Sequence, residues 1–408
     1  MPLKEHGKER AMPSVLEGVI ILDLTQVLAG PFAVSLLGDF GADVIQIEPP
    51  SGGFYQNRKD SVFSDIDNRR RSWNKRRHRR SLTVNLRTVE GKEIFLALVK
   101  KADVVVQNFS PGTMDRMGLG YDVLKQANPG IIYCAISGFG QTGPYKDRLA
   151  YDPIIQAASG IMSATGFSDK PPVKVGVNIA DYVGAVYAVV GILLALYYKQ
   201  RTGYGQMIDS SMFDALCHFT LNETKMGQAM GMERFGNRYP AAILDVHKTA
   251  DGEYLLFTAQ TDTQWENFLK LVGKEHIIAE KWDTYTRNIL RRDEVENWAS
   301  EWVNSKTLDQ AINELNNNRL PCATITKMNE LENDPHVLAR ELLVEAEDPE
   351  YGILSGIRGI APKLMETPGS IGTANQVTEL GQYNESILKE MLGYTEEKIA
   401  GLKETGVI

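Results

Sequence analysis

Two apolar runs, residues 19–24 and 44–48, flank a segment that opens with Pro31 and reaches Phe40 with the spacing of a short helix. Proline presets the first helical position, and unbroken apolar runs of this length are what strands buried on both faces require. A strand, a helix and a second strand in this order form a βαβ unit, so the two strands run parallel. The pattern repeats. Residues 88–101 read as a helix with Ile94, Phe95, Leu98 and Val99 on one stripe and Lys100 and Lys101 at the end where the helix dipole favours cations. Residues 104–106 and 131–136 are further buried strands, and a helix over 183–198 and a strand over 206–209 extend the same layer. The expected fold class is α/β, a doubly wound, Rossmann-like large domain.

From residue 226 the chain carries Gly, Asn, Met and Arg, then an apolar run at 254–258 and helices around 265–272 and 308–315, which read as a smaller α+β domain. The start, MPLKEHGKERAMPS, is charged and has no apolar signal-peptide core, so residues 1–16 are expected to be a disordered leader. The most apolar stretch, 183–198, falls short of the roughly 20 residues a spanning helix needs, and it reads as a core helix without a membrane role.

The chain has 408 residues and 44 Lys and Arg against 52 Asp and Glu, a net charge of −8, which argues against general nucleic-acid binding. Cys134, Cys217 and Cys322 stand far apart and no two of the six histidines share a metal-binding spacing, so neither a zinc site nor a disulfide framework is expected, and a reducing cytoplasm fits. Eight of the twelve residues 69–80 are nonetheless Lys or Arg. That run reads either as a solvated loop or as a site for a multiply phosphorylated ligand, with Trp73 placed to stack on a base. Gly138-Phe-Gly140-Gln-Thr-Gly143 has the dinucleotide spacing, but Pro144 and the charged residues after it read as a turn rather than a helix start, so NAD binding is not expected. The first βα turn lacks the glycines as well, although Glu48 ends its second strand where a ribose-binding acid could sit.

Asp181 is the residue with most chemical promise. It stands just before the apolar helix, either as a simple N-cap or as a nucleophile kept ionised by the helix dipole, with Gly176, Ala180 and Gly184 leaving room for an acyl group. Tyr151 and Asp152 form a second polar pair that is either structural or part of the same cleft.

These motifs resemble the class III CoA-transferases, typified by formyl-CoA:oxalate and carnitine CoA-transferases. The resemblance rests on LEGVIILDLTQVLAGPFAVSLLGDFGADVIQIEPPSGG, KKADVVVQNFSPGTMDRMGLGYDVLKQANPGIIYCAISGFGQTGPY, PPVKVGVNIADYVGAVYAVVGILLAL, RTGYGQMIDSSMFDAL and LGYTEEKIAGLKETGVI. It implies a large domain built from both chain ends (17–225 and 336–408), a small domain between them (226–335), and an interlocked homodimer, or a heteromer with a related subunit. It also implies Asp181 as catalytic nucleophile and acyl-CoA contacts at Ala29, Val84, Asn85, Leu86, Arg87, Asn108, Phe109, Arg116, Arg148 and Tyr151. Coenzyme A thioesters and a carboxylic acid would be substrates, with no tightly bound cofactor. Leu28 stands where formyl-CoA transferases have glutamine, and their glycine-rich loop has no counterpart around residues 235–240. Both departures disfavour oxalate and formyl-CoA, and Leu28 with the apolar and aromatic residues around Met226 to Tyr239 points to a larger or less polar acid, such as an aromatic or branched acceptor with succinyl-CoA as donor, a dicarboxylate remaining the alternative. The related racemases place a histidine where this chain has Tyr151, which weakens the alternative of an acyl-CoA racemase. A non-catalytic subunit of a heteromeric transferase is the other alternative, and the presence of Asp181 speaks against it.

Overall fold

The computed structural model describes residues 13–53, 64–234, 236–237, 244–372 and 379–408. Most of the expected leader, and Phe235 with residues 238–240, lie outside the described residues. The chain divides into two compact units, one made of Met1–Ile161, Lys174–Leu221 and Pro335–Ile408, the other of Met162–Val173 and Asn222–Asp334.

In the first unit six strands, β1 (Ile20–Asp23), β2 (Asp43–Glu48), β3 (Arg79–Thr83), β4 (Val104–Gln107), β5 (Ile132–Ser137) and β6 (Met207–Ser211), form one sheet in the order β3-β2-β1-β4-β5-β6. Every pairing in it is parallel. Alternate strand residues feed opposite layers, as the two-residue period demands. Leu22, Ile45 and Val105 face a core with Ile94, Phe95 and Leu98 of helix α3 (Val89–Val99). Ile21, Val44, Val104 and Val106 face the other core, with Val34 and Leu37 of α1 (Ala29–Asp39). Strand order reverses direction between β1 and β4, the place where open α/β sheets leave a crevice at the strand C-termini.

Helix α2 (Asp65–Arg76) and β3 absorb the basic run, and the structure corrects the reading of it as a phosphate site. Arg77 is fully buried and grips Asp39 with two bonds of 2.6 and 2.7 Å. Arg79 pairs with Asp23 at 2.8 Å, Arg80 with Asp43, Arg69 with Asp348 and Arg76 with Glu48. Trp73 is buried too, its indole N–H donating to Asp348, so it has no free face for a base. Five of the eight cations in the run are thus paired with carboxylates elsewhere in the fold. Strong pairing is what allows guanidinium groups to leave water.

After α4 (Thr113–Arg116), α5 (Tyr121–Ala127) and α6 (Asp152–Ala158) comes α7, which spans Ile179–Thr202. It is longer than its apolar stretch suggested, because Lys199, Gln200, Arg201 and Thr202 continue it until Gly203 takes the left-handed capping conformation. Ala180, Ala185, Ala188, Ile192 and Ala195 are buried and belong to the α1-side core, and Gly184 is buried with them. By length and composition alone it could span a bilayer, yet this small-residue face packs against the sheet layer. Val186, Val190, Leu193, Leu194 and Tyr197 on the same helix are exposed. Helix α8 (Met212–Ala229) follows β6.

The second unit contains a three-stranded antiparallel sheet, β7 (Leu244–Lys248), β8 (Tyr254–Thr258) and β9 (Cys322–Thr324), with α9 (Asp262–Leu271), α10 (Arg292–Asn304) and α11 (Leu308–Asn317). Leu255, Phe257, Phe268, Val295 and Leu315 share its core, and capping boxes at Thr261 and Thr307 start α9 and α11.

The chain then re-enters the first unit as α12 (Pro335–Ala339), the hairpin β10 (Leu343–Asp348) and β11 (Gly352–Arg358), and helices α13 (Asn384–Leu392) and α14 (Glu396–Glu404). Thr395 caps α14 by accepting from Lys398 N–H. Asn384 fastens α13 to the end of β3, accepting from Thr83 N–H and donating to Thr83 Oγ1. Asn85 N–H donates to the Val407 carbonyl at 2.7 Å.

Candidate active site

A cavity of about 570 Å³ opens at the C-terminal ends of β1, β2, β3 and β4, within the first unit and at the point where strand order reverses. Leu24, Thr25 and Gln26 leave β1 into its wall, Glu48 to Ser51 follow from β2, and Val84 to Arg87 from β3. Phe109, Met117 and Gly406 also line it. Five residues named from the sequence, Val84, Asn85, Leu86, Arg87 and Phe109, therefore come together on one wall. Glu48 lies on it as well, accepting from Ser81 Oγ at 2.7 Å.

The other named residues lie elsewhere. Ala29 is buried as the first residue of α1. Asn108 turns its carboxamide onto Gln26. Arg116 is exposed next to the lining residue Met117 and donates to Thr113 Oγ1. Arg148 lies 3.6 Å over the Tyr145 ring, and Tyr151 is exposed at the N-cap position of α6. The glycine motif 138–143 leads into an exposed loop, with no helix before α6, as the sequence reading expected. Among the described residues no cluster of three His, Cys, Asp or Glu could hold a metal.

Asp181 sits in the first turn of α7, three residues beyond Asn178, which occupies the N-cap position without a side-chain bond. The cap comes instead from Asp152, whose Oδ1 accepts from Ala180 N–H at 2.7 Å and Asp181 N–H at 3.4 Å. Gln156, one turn after Asp152 on α6 and fully buried, donates to Asp152 Oδ2 and to the Val177 carbonyl and accepts from Val175 N–H. The buried pair thus grips the whole approach to α7. This relieves Asp181 of capping and leaves its carboxylate for other work.

Burial first, and then the negative charge of Asp152, raise the Asp181 pKa to about 6, against the attraction of Lys75. Desolvation and a like charge therefore act on this group beside the helix dipole that the sequence pointed to. A carboxylate with that pKa is mostly ionised at pH 7 and more basic than an ordinary one, which suits a nucleophile. Of its small neighbours, Gly176 faces open space, whereas a Cβ on Gly184 would come within 2.7 Å of Met212. Gly184 therefore serves helix packing rather than substrate room. Phe32, near the start of α1, meets Tyr182 edge-on at 4.9 Å, so the helix that begins beside the cavity wall touches the turn that carries Asp181.

Sequence comparison decides the family. The model of CoA-transferase family III matches residues 16–381. The chain belongs to this family. Among curated relatives, succinyl-CoA–D-citramalate CoA-transferase of Chloroflexus aurantiacus is 34% identical over 97% of this chain and 98% of its own. The succinyl-CoA–L-malate CoA-transferase alpha subunit of the same organism is 33% identical over 96% and 92%. The crystal structure of a CAIB/BAIF family protein from Brucella suis superposes with a TM-score of 0.76 at 31% identity, covering 93% of this chain and 100% of that one. This family III enzyme is thus a CoA-transferase with the α/β architecture read from its sequence.

Proposed function

We propose that the enzyme moves coenzyme A from succinyl-CoA to a short free dicarboxylic acid, with Asp181 as covalent nucleophile. The observation that carries this reading is a carboxylate raised to about pKa 6, held in the first turn of α7 by a cap borrowed from Asp152. The donor and the acceptor class follow the names of the citramalate and malate relatives.

The carboxylate of Asp181 attacks the thioester carbonyl, and collapse of the tetrahedral oxyanion expels CoA thiolate and leaves an aspartyl–succinyl anhydride. The thiolate attacks the aspartyl carbonyl, succinate departs, and an aspartyl-CoA thioester remains. The acceptor carboxylate then attacks that thioester to form a second anhydride and release thiolate. Attack of the thiolate on the acceptor's acyl carbonyl gives the new acyl-CoA and restores Asp181. No net proton or water is consumed, so the thioester energy is kept.

In this reading the cavity wall of Val84, Asn85, Leu86, Arg87 and Phe109 takes the CoA portion, with Arg87 supplying a cation for phosphate. Ala29, Asn108, Arg116, Arg148 and Tyr151 act around it. The working unit is an interlocked homodimer whose large domain is built from both chain ends around a small domain at 226–335. The exposed apolar residues of α7 support association, since a second chain would remove them from water. The alpha-subunit relative favours a second reading, a heteromer with a related chain. Gel filtration followed by assay of the chain alone separates the two: an active homodimer excludes an obligatory partner.

Intact mass spectrometry after incubation with succinyl-CoA tests the chemistry. A CoA-sized adduct on Asp181, absent from Asp181→Ala, is expected. Tight CoA binding without an adduct would overturn the covalent reading.

A further inference from the structure

Val27 has φ of 68°, in the left-handed region that a β-branched residue occupies only when its surroundings force it. It stands in the turn between β1 and α1, directly after the cavity-lining residues Leu24, Thr25 and Gln26. Both sides of the turn are held. Asp23 Oδ1 accepts from Thr25 N–H at 2.8 Å and Thr25 Oγ1 at 2.6 Å, and Asp23 is itself fixed by Arg79, which also donates to the Pro31 carbonyl. Asn108, arriving from the end of β4, accepts from Gln26 N–H at 2.8 Å and donates to the Gln26 carbonyl at 2.7 Å.

We infer that Asn108 is a positioning residue. By holding both the N–H and the C=O of Gln26 it keeps Val27 in its strained conformation and gives the cavity wall the shape that receives the CoA thioester. This role rests on the assignment of that cavity to CoA. The β1 and β4 ends border the switch point of the sheet, so a clamp between them fixes the two sides of the crevice relative to each other. This role acts through the peptide it holds and stands whether or not the remaining N–H and lone pair of the carboxamide also meet ligand.

A double-mutant cycle in the full-length enzyme tests the inference. Glycine adopts positive φ without penalty, so Val27→Gly removes the strain that Asn108 restrains. Asn108→Ala is expected to raise the KM for succinyl-CoA about tenfold or more with kcat changed much less. In the Val27→Gly background the same substitution should raise KM about threefold or less, a rescue that general loss of stability would not produce. Should Asn108→Ala fail to fold, Asn108→Ser carries the same comparison. Equal KM effects in both backgrounds, or lowered melting temperatures with unchanged KM, would overturn the positioning role. Failure of the wild type to bind succinyl-CoA by calorimetry would instead remove the cavity assignment, and this role with it.

Discussion

Asp39 and Asp181 are both carboxylates taken largely out of water, and their surroundings push them in opposite directions. Burial alone would raise Asp39, but hydrogen bonds from His78 and Arg77 and the charges of Arg77 and Arg358 outweigh it and hold the group below the usual range. Burial raises Asp181 as well, and its near neighbour Asp152 adds to the effect, with Lys75 too weak an opponent to cancel it. One carboxylate is spent on holding α1 to the end of α2 and to β11. The other is left more basic than an ordinary carboxylate, the environment that the proposed nucleophile requires.

Exchanging the two roles by mutation is the most direct way to break this contrast. Asp181→Asn should lower the rate of CoA transfer by about 10³-fold or more, measured as steady-state kcat, because no nucleophile remains. The same variant should be more stable than the wild type at pH 7, by about 1–3 kcal/mol in denaturant melts. The sign follows from a folded pKa above the unfolded one: the contribution of Asp181 is favourable at low pH and is lost as pH rises through about 6. Asp39→Ala should act the other way, costing about 3–5 kcal/mol and about 10 °C in melting temperature, since it strands the buried Arg77. The Asp39 contribution is present above the ordinary carboxylate range and fades as pH falls below it.

Finer tests sharpen the comparison. The wild-type kcat should fall as pH drops through about 6, where Asp181 takes a proton, and Asp152→Asn should move this acid limb to lower pH, because the amide keeps the cap and loses the charge. A limb left in place would show that Asp152 acts on Asp181 through geometry alone. The smallest effect belongs to Arg87→Ala on the cavity wall, with KM for succinyl-CoA raised about tenfold and the melting temperature unmoved. Arg77→Ala, in contrast, should melt the protein.

The sheet was legible wherever burial is achieved by apolar side chains. Runs such as VIIL and VIQIE announce β1 and β2 because strands covered on both faces leave no room for alternation. Strand β3 was not legible: its sequence, RRSLT, becomes buried only through Asp23, Asp43 and Glu48, carboxylates remote in the chain whose pairing leaves no periodic trace. Helix α2 was missed for the same reason, with Trp73 its one large fully buried side chain. Asp181 could be singled out by its place before an apolar helix, whereas its cap and its raised pKa depend on Asp152 and Gln156, which only the tertiary fold brings to it. The cavity was half visible. Val84 to Arg87 and Phe109 entered through the family resemblance, but nothing local to Gly406 or Ser51 signals that they share a wall.

The bond from Asn85 to the Val407 carbonyl, with Gly406 beside it on the cavity wall, has a consequence for biosynthesis. Ribosomes deliver β1 to β4 well before the 400s, with the entire second unit emerging in between. The nascent sheet can pair its strands early, but the crevice stays open on one side until that distant stretch of chain has been made.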